Sequence, residues 1–324
     1  MDALSGRTVL VTGANGFIGR HLTARLARAG ARVYALVRQP ETALPEGVTP
    51  IVADLATIRP GVWAAQGLAH CDTVFHLAAF TPKNAGEAAR RAANLTANIS
   101  GTHNLLESLP PVQRFLFAST LDVYAPLADG EILDEAAPVR PATLYGSAKL
   151  YAEDLVRSWA QETGVGWAIL RYGHIFGPGE EAYRKLIPQT ILRLQRGESP
   201  VIYGDKNALR DFLDVRDAVE ATLRAASSTL PLLGPVNIVR GESVTIDTVV
   251  RLLTRLAGFA GTLEYLPSET PSHSLRFDNS LMNKLLGEWE KISLAAGLEL
   301  ESEYMRAPAV HGAGPPMKQI GSKE

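Results

Sequence analysis

Apolar and polar positions alternate along this chain in blocks of two lengths. Short apolar or β-branched runs at Thr8–Thr12, Arg32–Val37, Thr49–Ala53, Thr73–Leu77, Arg114–Ala118 and Gly166–Arg171 read as buried strands. Longer stretches with helical spacing lie between most of them. His21 to Ala29 carries Leu22 and Leu26 four apart on one face, and Gly30 closes the helix. Alternation of this kind up to about Phe176 predicts an α/β fold, a doubly wound parallel sheet with helices on both faces and right-handed crossovers. No internal repeat is visible.

Beyond Phe176 the pattern changes. Gly177-Pro178-Gly179 breaks it, Tyr183 to Arg196 predicts a helix, and Pro200 to Asp205 predicts a short strand and turn. Arg216 to Ala226 is again helical, while Val236–Val239 and Thr262–Leu266 look like isolated strands. The expected organisation is a sheet domain over 1–176 and a smaller C-terminal α/β substrate-binding lobe over 177–305, with the chain free to cross back to the sheet. Residues 306–324, rich in Pro and Gly and poor in apolar periodicity, are expected to form a mobile tail.

Composition narrows the function classes. With 324 residues the chain can bury a sizeable core. The net charge of −2 and the lack of a long basic block speak against nucleic acid as a partner. No apolar run reaches membrane-spanning length. Met1 to Gly6 leads almost directly into the first strand, which leaves little room for a leader and points to the cytoplasm. The single cysteine, Cys71, stands at a strand entrance and reads as structural. No metal is expected.

The most informative stretch is Thr12-Gly13-Ala14-Asn15-Gly16-Phe17-Ile18-Gly19, set between the first strand and the first helix. One glycine permits a tight turn, the next lets backbone approach a pyrophosphate, and the third lets helix and strand pack closely. The phosphates would sit on the helix N-terminus. The Thr-Gly-x-x-Gly-x-x-Gly spacing resembles the short-chain dehydrogenase/reductase superfamily, in particular its extended branch of epimerases, dehydratases and reductases. That resemblance implies a Rossmann fold and a nicotinamide dinucleotide contacted by Gly13, Asn15, Gly16, Phe17, Ile18 and Gly19.

Tyr145-Gly146-Ser147-Ala148-Lys149 begins a helix, and the i, i+4 spacing puts Tyr145 and Lys149 on one face. A phenol titrates at about 10. A neighbouring ammonium favours the phenolate, so the pair can serve as a general acid/base for a carbonyl–alcohol conversion. Many helices carry such a pair by chance. Here, however, the run Arg114 to Thr120 is a buried strand ending in the hydroxyls Ser119 and Thr120, at the sheet edge where ligands bind. In the extended family the catalytic hydroxyl lies four residues before the Tyr of a Val-Tyr-Gly sequence. Tyr124 matches that Tyr, with Ala125 in place of Gly, so Thr120 matches the hydroxyl and Ser119 is the runner-up. The resemblance thus implies a Thr120, Tyr145, Lys149 triad.

Further positions follow from the same resemblance. His76-Leu77-Ala78-Ala79 matches a segment lying against the cofactor, with Leu77, Ala78 and Ala79 as contacts and His76 structural. Asp54 and Leu55 match a pair that contacts adenine, and Asn98 matches an Asn that organises the active-site helix. Tyr172 and His174 are expected at the cofactor. Phe80, Asp122 and His174 are expected at the substrate. The second strand ends in Val37-Arg38 where an acid would favour NAD. Arg38 can pair with a 2′-phosphate, which tips the cofactor to NADP, with NAD as the alternative.

The later part resembles enzymes of nucleotide sugars. Leu170 to Gly179 follows the family's Gly-Pro-Gly segment, with His174 where Asn is usual. Leu209-Arg210-Asp211-Phe212 matches a run whose Arg grips a diphosphate, although a salt bridge from Arg210 to Asp211 or Asp214 is an alternative use for it. Arg276, in Arg276-Phe277-Asp278-Asn279-Ser280, is a second phosphate candidate. Three readings therefore compete: an NADPH-dependent ketoreductase on a nucleotide-sugar substrate, an epimerase with retained NAD, and a non-catalytic dinucleotide sensor. Dehydratase ranks low, because the Asp-Glu pair expected after the Thr is replaced by Leu121-Asp122. A homodimer through a four-helix bundle is expected, built from the Tyr145 helix with Leu150, Leu155 and Trp159 and from the Leu95–Leu109 helix.

Overall fold

The computed structural model describes residues 3–83, 87, 90–125, 130–181, 183, 185–228, 234–268 and 273–306. Of the expected tail, everything after Arg306 lies outside the described residues.

Seven strands make the main sheet: β1 (Thr8–Thr12), β2 (Arg32–Val37), β3 (Val48–Val52), β4 (Cys71–His76), β5 (Val112–Thr120), β7 (Gly166–Tyr172) and β11 (Pro235–Ile238). Their order is β11-β7-β5-β4-β1-β2-β3, and every pairing is parallel. The chain winds outward from β1 through β2 to β3, then returns to β4 on the other side of β1. This places the switch point, and the crevice it opens, between β1 and β4.

The strands read as continuous apolar runs because both faces are covered. Val9, Val11, Phe75 and Leu116 point into one core with Leu22, Leu26, Ala218 and Val219. Leu10, Val74, Phe115 and Phe117 point into the other with Trp63, Leu105, Ala152 and Val156. Successive residues of one strand thus feed opposite layers. The first layer comes from helices α1 (Phe17–Arg28) and α5 (Val215–Ser227). The second comes from α2 (Gly101–Ser108) and α3 (Leu144–Thr163). A π-helical segment, Asn94–Ser100, leads into α2 where the sequence pattern predicts ordinary helix.

Val236–Val239 departs from expectation. Pro235–Ile238 is no isolated strand of the smaller lobe but the seventh strand of the main sheet, paired with β7. Its residues Val236, Asn237 and Ile238 are fully buried, which an edge of a small lobe could not offer. The chain reaches it along α5, so the return to the sheet left open by the sequence does take place.

The remaining elements stand over the carboxyl ends of the sheet. Strand β10 (Leu209–Asp214) lies between β8 (His174–Phe176, parallel) and β12 (Ser243–Thr245, antiparallel). Strand β9 (Val201–Tyr203) pairs with β13 (Glu264–Leu266), and β6 (Ile132–Leu133) with β14 (Arg276–Phe277). Helices α4 (Leu186–Gln195), α6 (Ile246–Leu256) and α8 (Leu294–Arg306) enclose a core of Phe176, Ile187, Ile191, Phe212, Val249, Leu253 and Leu298. Helix α7 (Ser280–Leu286) packs Met282 and Leu286 back onto the sheet domain. Helix α4 starts three residues later than Tyr183, and Pro188 falls in its first turn, where a missing N–H costs nothing. Among the described residues no helix is long and apolar enough to cross a membrane.

Candidate functional site

The turn from β1 into α1 is built by its glycines. Gly13 has φ 70°, in the left-handed region, and a Cβ there would stand 2.6 Å from the Ala78 nitrogen. A Cβ on Gly19 would collide with the Gly13 carbonyl oxygen. The turn therefore lies directly against Leu77-Ala78, and Ala78 N donates to Thr12 Oγ1 at 3.1 Å. Helices α3, α5 and α6 are capped by their own Thr143, Asp214 and Thr245 side chains. Helix α1 has Gly16 at its cap, with no capping side chain and no acid in the first turn. Its first amides, at Phe17, Ile18 and Gly19, stay available to an anion. A cradle a Cβ would fill, joined to an uncapped helix start at the switch point, fits the pyrophosphate of a dinucleotide. Asn15 is exposed on the same turn.

Other expected contacts ring this turn. Arg38 is exposed at the end of β2, and among the described residues no ion pair of its guanidinium is recorded. Asp54 follows β3 and accepts from Ala56 N at 2.9 Å, and Leu55 packs against Gly101. His76 is fully buried, with Thr12 Oγ1 at 2.7 Å from Nδ1 and Thr102 Oγ1 at 2.9 Å from Nε2. Burial brings its pKa down to about 3, so it is a neutral structural imidazole. Asn98, in the π-helical segment, accepts from Phe80 N at 2.8 Å and donates to Phe80 O at 3.0 Å. The residues after Ala79, Phe80 included, are thereby fixed over the cleft. Tyr172 turns its side chain into the core. It is buried, and its hydroxyl meets Thr222 Oγ1 of α5 at 2.6 Å, inside the core rather than in the cleft.

Thr120 ends β5 and starts a single 3₁₀ turn, its Oγ1 accepting from Asp122 N at 3.2 Å. A Cβ on Gly146 would strike the Asp122 carbonyl oxygen, so the glycine lets α3 start hard against that turn. This contact brings Tyr145 to Thr120. The Thr120 and Thr81 hydroxyls both act on the phenol, the second a neighbour the sequence did not suggest. Ser119, the runner-up, is buried and donates to Glu153 Oε1 at 2.5 Å. It is thus occupied, and the hydroxyl facing Tyr145 belongs to Thr120.

The electrostatics differ from expectation. Desolvation pushes the Tyr145 phenol well above its usual value, against the Thr81 and Thr120 hydrogen bonds, and the Asp122 charge adds to the rise. Lys149 is buried, with Nζ 4.1 Å from the centre of the Phe117 ring. Burial brings it down to about 7, with Glu153 opposing the fall. The phenol is raised rather than lowered because neither hydroxyl nor ammonium is well solvated here. Below both groups, Arg171 of β7 grips Glu153 of α3, Nε to Oε1 at 2.9 Å and Nη2 to Oε2 at 2.6 Å. The sequence reading missed this pair. Its signal was an acid at i+8 from Tyr145, on a helix face otherwise made of Ala148, Ala152 and Val156.

A cavity of about 390 Å³ is lined by His174, Glu180, Lys185, Tyr203, Arg210 and Phe212 among others. Arg210 Nη1 donates to Leu209 O at 2.7 Å and His273 O at 2.6 Å. The alternative of a salt bridge from Arg210 does not materialise: Asp214 is held by Arg216, and Asp211 accepts from the Arg240 and Gly241 amides. Leu275 N donates to Leu209 O, which runs the Arg276 segment beside Arg210, and Arg276 itself is exposed. Burial lowers His174 to about 4, and among the described residues its Nδ1 has no hydrogen-bond partner. Lys185 and Glu180 escaped the sequence reading because they follow the Gly-Pro-Gly break with no spacing signal.

A doubly wound sheet, an uncapped glycine turn at its switch point and a Thr, Tyr and Lys at the end of β5 and the start of α3 define an enzyme of the extended short-chain dehydrogenase/reductase class. The chain belongs to the NAD-dependent epimerase/dehydratase family, whose profile matches residues 9–238. It is 30% identical to a dTDP-4-dehydro-6-deoxy-D-allose reductase of a Streptomyces species, over 94% of this chain and 98% of that protein. It is also 30% identical to an uncharacterised UDP-glucose epimerase of Bacillus subtilis, over 92% and 97%. Among solved structures, the UDP-glucose 4-epimerase of Thermotoga maritima with UDP-glucose superposes with a TM-score of 0.82 at 28% identity, covering 92% of this chain and 98% of that one. MoeE5 in complex with UDP-glucose and NAD superposes with a TM-score of 0.78 at 31% identity, covering 92% and 98%.

Proposed function

We propose that this enzyme reduces a keto-sugar carried on a nucleoside diphosphate, with NADPH as reductant. The observation that carries the reading is the meeting of the Thr120 and Tyr145 hydroxyls at the end of β5, beside the open start of α1. Bound at the glycine turn, the dinucleotide supplies a hydride to the carbonyl carbon. The protein's own part is proton delivery and alignment. Thr120 holds the carbonyl oxygen, and Tyr145 gives that oxygen its phenolic proton as negative charge develops. A phenol raised by desolvation keeps its proton at neutral pH and is ready to donate. Charged Lys149 steadies the phenolate left behind, which recovers its proton from water. Arg210 and Lys185, on the cavity wall, suit a diphosphate, and Ile202, Phe212 and Ile246 offer apolar surface to a base.

Arg38 favours NADP, since an exposed guanidinium at the end of β2 can receive a 2′-phosphate. A second reading, an epimerase that keeps NAD bound, is supported by the likeness to MoeE5 in complex with UDP-glucose and NAD. The test is to identify any dinucleotide retained on purification and to measure dissociation constants for NADPH and NADH in wild type and Arg38→Ala. An empty site, tighter NADPH binding, and loss of that preference in Arg38→Ala are expected. Retained NAD, an unchanged ratio in Arg38→Ala, and conversion of UDP-glucose to its C4 epimer would replace the reductase with the epimerase. We infer in addition that two subunits pair through α3 and the segment that leads into α2.

A further inference from the structure

We propose that Glu153 is a positioning residue of the catalytic centre, holding the β5 end that carries Thr120 and setting its carboxylate one helical turn from Lys149. The inference rests on the roles given to Thr120, Tyr145 and Lys149 above, and not on which sugar or dinucleotide the enzyme uses.

Three elements converge on one carboxylate. Ser119 and Arg171 are paired residues of the neighbouring strands β5 and β7. Both donate to Glu153, which lies on α3 and is fully buried. Arg171 also lies over the Tyr124 ring, 4.7 Å from its centre, and the Tyr124 hydroxyl donates to Asn237 Oδ1 of β11 at 2.7 Å. The carboxylate thus ties α3 to the carboxyl ends of β5 and β7 and, through Tyr124, to β11. Thr120 is the next residue along β5 from Ser119, and Lys149 is one turn before Glu153 on the same face of α3. Helix rotation and strand end, the two things that fix Tyr145 relative to Thr120, share this one anchor.

Stability alone gives little reason for such a pair. A buried ion pair is often no more stabilising than apolar side chains of the same size. Its charge does have a use at Lys149. From β4, Lys149 meets His76, held neutral by Thr12 and Thr102. From β5 it meets the Phe117 ring. Tyr145 and Glu153 share its helix. Arg171 of β7 is engaged by Glu153, and Asp122 acts on the Tyr145 phenol. Glu153 is the charge that raises Lys149 against burial.

The test is an NMR titration of protein carrying ¹³C at the lysine Cε, with the Lys149 signal assigned by Lys149→Met. In wild type the midpoint is expected near pH 7. Glu153→Gln keeps the shape and loses the charge, and its midpoint is expected to fall by about one pH unit. Ser119→Ala keeps the charge and is expected to leave the midpoint in place. Glu153→Gln strands Arg171 and can fail to fold. The paired change Glu153→Met with Arg171→Met removes the stranded charge and is expected to show the same fall. A wild-type midpoint in either folded variant overturns the proposal, as does failure of both to fold, which would make the pair a folding element only. The titration needs neither substrate nor cofactor, so its outcome is separate from that of the reductase reading.

Discussion

Desolvation is opposed at Tyr145 by hydrogen bonding and at Lys149 by the charge of Glu153, and it prevails at both. The consequences differ. Tyr145 keeps its proton, while Lys149, at about 7, loses its charge as pH rises through neutrality. Proton donation to a carbonyl should therefore be fastest at and below pH 7 and decline above it, as the charge that steadies the phenolate disappears. Tyr145→Phe removes one oxygen and keeps the ring, so folding and NADPH binding should persist while turnover of a keto-sugar nucleotide falls by roughly 10²–10⁴. Near-normal turnover in Tyr145→Phe would remove the phenol from the reaction. Residues whose chemistry is written in local spacing were legible from the sequence: the glycine turn, Thr120, Tyr145 and Lys149. Thr81, Glu153, Arg171 and Lys185 were not, because only the crossing of separate elements brings them in. Tyr172, one position past Arg171 on a buried strand, turns its side chain to the opposite layer.

At the scale of elements, the least expected junction joins α8 to the turn after β8. Glu301 of α8 is fully buried, and among the described residues no hydrogen-bond partner meets either oxygen at close range. It faces Glu180, itself buried and 3.2 Å from Lys185 Nζ. Desolvation, then the Glu180 charge, pushes the Glu301 carboxyl far above the carboxylate range, so it holds a proton in the folded state. A folded-state pKa raised above the unfolded value means that the native state binds the proton more tightly. Stability is then lost as pH climbs from the ordinary carboxyl range towards the raised value. Glu301→Gln imitates the protonated form permanently. Its melting temperature should match wild type near about pH 4 and exceed it by a margin that grows up to about pH 9. Equal margins at both ends would show that Glu301 does not retain its proton. Neither this contact nor the placement of β11 could be read beforehand. The alternation of strand and helix fixes layers, but the docking of a late segment depends on which edge and which buried face remain uncovered. The π-helical segment was equally illegible, because its extra residue serves Asn98 and its grip on Phe80 rather than any hydrophobic period.

For the whole molecule, the surface left over after the subunit has folded suggests what covers it. Leu155 and Trp159, expected at a subunit interface, are partly buried in the subunit's own core, Trp159 edge-on to Phe115 at 5.5 Å, and Leu150 packs beside Val123 and Tyr124. The apolar side chains that remain outside on this flank are Leu144 and Tyr151 of α3, with Leu95 of the π-helical segment beside them, at 41%, 54% and 57% exposure. Leu144 and Tyr151 are seven apart and share a face, turned away from the buried Lys149 and Glu153. A two-fold axis through that face would set α3 and the segment leading into α2 against their mates, four helices in all. A stable interface of that kind needs about 800 Å² from each subunit. Sedimentation equilibrium should find wild type at twice the chain mass at micromolar concentration. Leu95→Glu with Tyr151→Glu, both exposed in the single subunit, should return it to one chain mass with an unchanged fold by circular dichroism. Because α3 also carries Tyr145, Lys149 and Glu153, the dissociated variant should lose turnover along with its mate while its glycine turn still binds the dinucleotide. A wild-type monomer at that concentration, or a double variant that stays paired, would assign this apolar flank to some other contact.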